Sequence, residues 1–290
     1  MKTRLFFIIA AIFMLASCES MFTTYPTVEL VDSTFTFTAS TESKAETKTS
    51  LSYSADENGL YSLTWNRGDE ISIYDGVSTA VFSTDSYSAT AEFKQKTGET
   101  DKNAASYTAF YPASITIDNM VLPSQQVYTS HGIINFPMYA YSTSRNLHFK
   151  NMCGILKISM KTKASTIDVA VSSISVSSEK GMSGSFKVAD DYSAIVDGKD
   201  GVVLSCDEPV SLYNASYREF NIIVPPAEYE TMKISITTKD GKSINLVANG
   251  AVKIDRSSMT HVKVSLGEFA FDSSLEMVPV VDSDVEFAER

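Results

Sequence analysis

The run Leu15-Ala16-Ser17-Cys18 places a thiol directly after two small residues at the end of an apolar stretch. Lys2 and Arg4 supply positive charge at the start, and Leu5 to Leu15 is unbroken by any polar side chain. A bilayer-spanning helix needs about 20 apolar residues, so this stretch is a leader and not a span. The chemistry that fits the pattern is cleavage between Ser17 and Cys18 followed by acylation of Cys18. Each buried methylene of an acyl chain contributes about 0.8 kcal/mol, and two or three chains together make a durable anchor. The spacing therefore predicts lipid attachment at Cys18, and with it a place on a bacterial outer membrane. No later segment is long and apolar enough to cross a bilayer.

Other chemistry-bearing residues are sparse. The three histidines, His131, His148 and His261, lie far apart, the first beside Gly132 and the others in strand-like runs. HExxH, GxSxG, P-loop and dinucleotide fingerprints are absent, so no enzyme, cofactor or metal is expected. Asp190-Asp191 and Asp197-Gly198-Lys199-Asp200 lack the spacing and terminal glutamate of a calcium loop, and turn chemistry accounts for them better. Arg67-Gly68-Asp69 spells an integrin-recognition tripeptide but sits where a hairpin turn is expected. Asp32-Ser33-Thr34 resembles a short bacterial acceptor signal for O-glycosylation at Ser33. Cys153 lies in the apolar run Met152-Cys153-Gly154-Ile155-Leu156, which points to a buried free thiol, with a Cys153–Cys206 disulfide as the alternative. Trp65, the only tryptophan, shares a face with Leu63 and is expected in a core.

The chain has 290 residues and a formal net charge of -11, which becomes more negative once Lys2 and Arg4 are removed. An acidic balance argues against nucleic acid and against anionic lipid surfaces as partners. The length remaining after residue 17 exceeds what one core usually supports and suggests two domains.

The elements read as strands throughout. Period-two alternation recurs at Phe35 to Ala39, Ile71 to Tyr74, Ile155 to Met160, Val169 to Val176, Lys233 to Thr238 and His261 to Leu266. Turn signals divide the runs at Glu57-Asn58-Gly59, Arg67-Gly68-Asp69, Asp75-Gly76, Asp197-Gly198 and Asp240-Gly241. The expectation is an all-β protein of β-sandwich class. Residues 1–17 form the signal peptide and 18–26 a lipid-anchored linker. Residues 27–145 and 146–267 form two sandwiches, with the cut in the polar stretch Ser142 to Asn146, and 268–290 form a tail rich in both apolar and acidic residues.

Four segments in order carry a resemblance. They are Leu63 to Tyr74, with Thr64-Trp65 and Gly68-Asp69; Tyr107-Thr108-Ala109-Phe110-Tyr111-Pro112; Leu122-Pro123-Ser124-Gln125-Gln126; and Leu147 to Lys157, with Asn151 and Cys153-Gly154. Together with the leader they resemble the fimbrillin-like surface lipoproteins of the Bacteroidetes. The resemblance implies two tandem transthyretin-like sandwiches and a role in type V pili, whose shaft subunits assemble by strand exchange. It implies that a first strand, here Val28 to Ala39 with Phe35 and Phe37, is removed and replaced by a donor. The donor candidate is the tail from Phe269 and Phe271 onward. In the family, removal follows an arginine, whereas only Lys44 and Lys48 lie between Cys18 and Trp65. This departure leaves three readings: cleavage at a lysine, an unprocessed anchor, tip or accessory subunit, or a family member that never enters a pilus; an uncut first strand favours an anchor or accessory protein over a shaft subunit. Implied partners are other fimbrial subunits or surface proteins, and host or bacterial ligands. The alternative is a surface glycan-binding lipoprotein of a nutrient-uptake system, which a row of exposed aromatics would favour.

Overall fold

A computed structural model of the chain describes residues 35–42, 63–130, 132–248, 250–267 and the backbone of 274–277. Ser17, Cys18, Val28, Ser33, Lys44, Lys48, His131, Phe269 and Phe271 lie outside the described residues. Within them the chain is all β-structure, and no helix is long and apolar enough to cross a membrane.

The first half contains β1 (Thr36–Ser40), β2 (Glu70–Tyr74), β3 (Thr79–Ser83), β4 (Thr90–Thr97), β5 (Tyr107–Tyr111), β6 (Val121–Leu122), β7 (Gln125–Val127), β8 (Met138–Ser142), β9 (Asn146–His148) and β10 (Lys150–Asn151). Alternation does what the sequence requires of it. Phe37 and Ala39, Ile71 and Ile73, Ala80 and Phe82, and Ala91 and Phe93 all point to one core. Eight strands form a sheet in the order β10-β8-β5-β2-β3-β4-β1-β9. Its two ends are β10 and β9, which are consecutive in the chain. The sheet therefore closes on the single segment 146–151: β9 runs parallel to β1, β10 antiparallel to β8, and Phe149 N between them donates to Ser40 O at 2.8 Å.

The second half contains β11 (Gly154–Thr162), β12 (Ala170–Ser177), β13 (Gly184–Val188), β14 (Ala194–Val196), β15 (Val202–Ser211), β16 (Arg218–Val224), β17 (Ala227–Tyr229), β18 (Lys233–Thr238), β19 (Ser243–Ala248), β20 (Val252–Ile254), β21 (Met259–Leu266) and β22 (Ser274–Met277). A three-stranded sheet, β16-β11-β21, and a six-stranded sheet, β22-β19-β18-β12-β15-β7, enclose a second core. Leu156, Ile158, Phe220, Ile222, Val262 and Val264 come from one side; Val171, Ile174, Leu204, Ile234, Ile236 and Leu246 from the other. The Asp240-Gly241 hairpin forms as expected between β18 and β19, with Gly241 at φ 79° and Gly241 N donating to Thr238 O. In such tight hairpin turns a positive φ is the reason for glycine.

Two features lie around the expected cut between residues 145 and 146. Leu147 and Phe149 are fully buried in the first core, so the strand starting there completes the first sheet and does not open the second. After Cys153-Gly154 the chain serves both cores, with Ile155 in the first and Leu156 and Ile158 in the second. A Cβ on Gly154 would lie 2.4 Å from Asp255 O, so only glycine lets the 255–258 loop pass this close. In addition, the segment around Leu122-Pro123-Ser124-Gln125-Gln126 reaches both cores: Leu122 and its partner strand's Phe186 pack in the first, and β7 joins the sheet over the second. β6 pairs with β13, and β7 runs parallel to β15. Gln126 then clips the outer edge of β16: its Nε2 donates to Ile223 O (2.8 Å) and its Oε1 accepts from Ile223 N (2.9 Å). The two cores are thus strapped together by residues 121–127.

Candidate functional site: the opening strand and its clasp

β1 is short, yet it is engaged on every side. It is antiparallel to β4, from Thr36 opposite Lys94 to Ser40 opposite Thr90, and parallel to β9. Phe35 and Phe37 sit in an aromatic nest. The Phe37 ring meets Phe82 at 5.0 Å and Tyr107 at 4.8 Å, both edge to face, and Phe35 meets Phe82 at 5.9 Å. Lys102 and Arg145 lie over the outer face of Phe35. Burying a phenylalanine contributes about 1.5–3 kcal/mol, and an edge-to-face pair adds about 0.5–1.5 kcal/mol. Ala39 is small because Trp65 lies across it: Trp65 Nε1 donates to Ala39 O at 3.0 Å, and its ring packs on Phe93, Tyr111 and Phe149. The tryptophan is a core residue, as its alternation indicates.

Two residues past β1, Glu42 turns inward. Its side chain is 2% exposed and meets Arg256, on the loop between β20 and β21, whose side chain is 19% exposed. The pair is bidentate: Nη1 donates to Oε2 and Nη2 to Oε1, both at 2.9 Å. Arg256 Nη1 also donates to Asn151 O (2.8 Å), and Glu42 Oε2 accepts from Asn151 N (3.2 Å) and Ser257 Oγ (3.1 Å). Asn151 Nδ2 in turn donates to Ser257 Oγ. This clasp ties the end of the opening strand to a loop more than 200 residues away. The clasp leaves Asn151 Oδ1 buried without a partner, yet the bidentate pair itself is well formed, and removing one member leaves the other charge uncompensated.

The remaining sequence candidates do not come together. His148 shares a hydrogen bond with Ser40 Oγ at 2.7 Å, beside β1, whereas His261 lies on β21 opposite Lys157. No group of three or more metal-binding side chains exists among the described residues. Cys153 and Cys206 are both free and belong to different cores, so the disulfide alternative is not met. Burial pushes the Cys153 thiol well above its ordinary range, and burial with Asp207 beside it pushes Cys206 up to about 11. Asp69 of the Arg-Gly-Asp tripeptide is turned inward, accepting from Asn66 N (2.7 Å) and Tyr111 OH (3.0 Å). Burial raises its carboxyl above the usual range despite those bonds. Asp191 accepts from Ser193 N and Oγ, a turn role. Of the exposed tyrosines, Tyr141 lies on β8 and Tyr87, Tyr192 and Tyr213 lie between strands; the Tyr192 ring is 6.3 Å from that of half-buried Tyr139, two residues before Tyr141. Two surface clefts of about 140 and 240 Å³ fall below the ~300–1,000 Å³ of typical small-molecule sites.

Glu42, Arg256 and Ser257 were invisible to motif reading, and Asn151 entered it only as part of the segment Leu147 to Lys157. The one hint was an acidic residue directly after an alternating strand, in a stretch that otherwise reads as a polar loop.

No family model and no curated protein matches the chain. Solved structures do. A protein of Bacteroides ovatus provisionally assigned to cell adhesion is similar over 85% of this chain and 98% of its own, with a TM-score of 0.53 at 12% identity. A Bacteroides uniformis protein with the same assignment covers 71% of this chain and 90% of its own, with a TM-score of 0.48 at 17% identity. The tip fimbrial protein Mfa3 of Porphyromonas gingivalis covers 79% and 95%, with a TM-score of 0.32 at 10% identity. At these identities the likeness is one of fold, and only the first is close enough to carry it.

Proposed function

We propose that this chain is a non-enzymatic cell-surface protein of fimbrillin-like type, a structural or accessory adhesion subunit that engages neighbours through strand replacement. Cys18 would carry the lipid that holds it at the outer membrane. The two strapped cores would be the tandem modules that the sequence resemblance implies, and the partners would be other fimbrial or surface subunits.

The observation that carries this reading is the β1 slot. A five-residue strand fills a deep, aromatic-lined position between β4 and β9. A strand so short and so deeply keyed is suited to substitution, because an incoming strand can satisfy both the backbone ladder and the side-chain pockets. The fold likeness to a Bacteroides protein assigned to adhesion supports the same class. The lack of arginine between Cys18 and Trp65 supports an accessory or anchoring place, in which the first strand stays covalently joined to its lipid and leaves the slot only by displacement.

The test is assembly on cells and in extracts. Deletion of residues 269–290 should abolish polymer ladders while leaving a folded monomer, and Cys18→Ala should release the protein from membranes. Ladders that survive the deletion, or an intact protein that never forms them, would overturn strand replacement. Continued acyl labelling of the Cys18→Ala chain would overturn the anchor.

A further inference from the structure

Two stretches of the chain carry one pattern. Phe35-Thr36-Phe37-Thr38-Ala39-Ser40-Thr41-Glu42 is matched by Phe269-Ala270-Phe271-Asp272-Ser273-Ser274-Leu275-Glu276. Both have phenylalanine at the first and third positions, a small residue at the fifth, serine at the sixth and glutamate at the eighth. In the first stretch these positions have visible tasks. Phe35 and Phe37 fill the aromatic nest, Ala39 lies under Trp65, Ser40 bonds His148, and Glu42 closes the clasp on Arg256.

We propose that residues 269–276 of one copy are read by the β1 slot of a second copy in this register, with Glu276 taking Glu42's place on Arg256. The inference rests on the strand replacement proposed above and adds what selects the strand. A backbone ladder accepts any extended segment, so selection falls to side chains. The slot asks for two rings two residues apart, a small residue next on the same face, and a carboxylate three residues further on. A strand with the rings but without the carboxylate would leave the Arg256 charge buried and unpaired, which works against a wrong partner. The outward positions are permissive: Thr38 is exposed, so Asp272 fits there. Leu275 would forgo the bond from Thr41 Oγ1 to Leu63 O. In its own chain, Ser274–Met277 runs parallel along the outer edge of β19, with a neighbour on one side only. In the slot it would gain ladders on both sides.

The register can be read by disulfide trapping. Thr38 faces Glu92 across the β1–β4 ladder, so Asp272 in the slot should face Glu92 of the other copy. Two full mature chains, one with Asp272→Cys and one with Glu92→Cys, are mixed in sub-denaturing urea and returned to buffer under mild oxidation. A mixed disulfide should form, at a yield at least about tenfold above that with Lys94→Cys, two residues away, because bridged Cα atoms must lie within about 7 Å. Adding Glu276→Gln should lower the yield about tenfold and leave the melting temperature unchanged, since Glu42 still closes the clasp in the monomer. Equal trapping at 92 and 94, no trapping at either, or indifference to Glu276→Gln overturns the register. If ladders nevertheless depend on residues 269–290, the tail still assembles the protein and only the reading of its sequence has failed. If ladders survive the deletion, both readings fall.

Discussion

Replacing Glu42 with glutamine tests how much the clasp contributes. The carboxylate accepts four hydrogen bonds, two from Arg256 and one each from Asn151 N and Ser257 Oγ. Glutamine keeps one oxygen but turns an amide donor toward guanidinium donors, and the Arg256 charge loses its ion-pair partner, leaving Asp191 as a counter-charge outside ion-pair distance. Breaking a buried pair by removing one partner costs about 3–5 kcal/mol. Arg256 retains a fifth of its side-chain exposure, so water recovers part of that and the lower end applies, about 3 kcal/mol. For a chain of this size that is a fall of roughly 6–12 °C in melting temperature. Denaturant titration of the mature chain measures it, and hydrogen exchange at Phe37 and Ala39 reports whether β1 loosens first. A cycle with Arg256→Gln should return a coupling of at least about 1.5 kcal/mol, as expected for residues in one network. A loss under about 0.5 kcal/mol, or additivity of the two changes, would show that the clasp is ornamental and that β1 is held by its rings alone.

Gln126→Ala should destabilise the second core by about 1–3 kcal/mol, because it strips partners from both Ile223 N and Ile223 O. Limited proteolysis between residues 123 and 135 should then speed up, and unchanged cleavage would count against the strap. Asp75 accepts from Val77 N, Ser78 N and Oγ, and Asp101 N. Burial alone would raise its pKa, but these bonds together outweigh burial and hold the carboxyl below its ordinary value. A depressed folded pKa contributes stability above the unfolded value of about 3.9, and that contribution disappears as pH falls through the folded one. The stability gap between the parent and Asp75→Asn should therefore be widest near neutrality and shrink below about pH 4. A gap that is flat from pH 7 to 3 would refute the assignment.

The strands were legible because alternation is a local signal. Each alternating run, from Phe35 to Ala39 through His261 to Leu266, lies in or forms most of a strand. So were the Asp240-Gly241 hairpin and the buried Trp65 and Cys153. Which core the strands after residue 146 serve was not legible, for a physical reason. A polar stretch at 142–146 marks a turn, and a turn between two strands of one sheet looks the same in sequence as a turn between domains. Leu147 and Phe149 carry alternation without naming the core they face. The 121–127 strap was missed because two- and three-residue strands leave almost no period to detect. The clasp was missed because its partners, Glu42 and Arg256, are adjacent only after folding, and each reads locally as an ordinary charged turn residue.

The closure of the first sheet on residues 146–151 bears on growth. An open sheet offers a row of unpaired peptide groups that any passing strand can extend, and such addition has no natural stopping point. Here the first and last strands are halves of one segment, so that half of the molecule can gain a foreign strand only by giving up one of its own. Association through it is then strictly one for one. Each copy would receive a single neighbour and pass on a single segment, and the product of such a rule is an unbranched line.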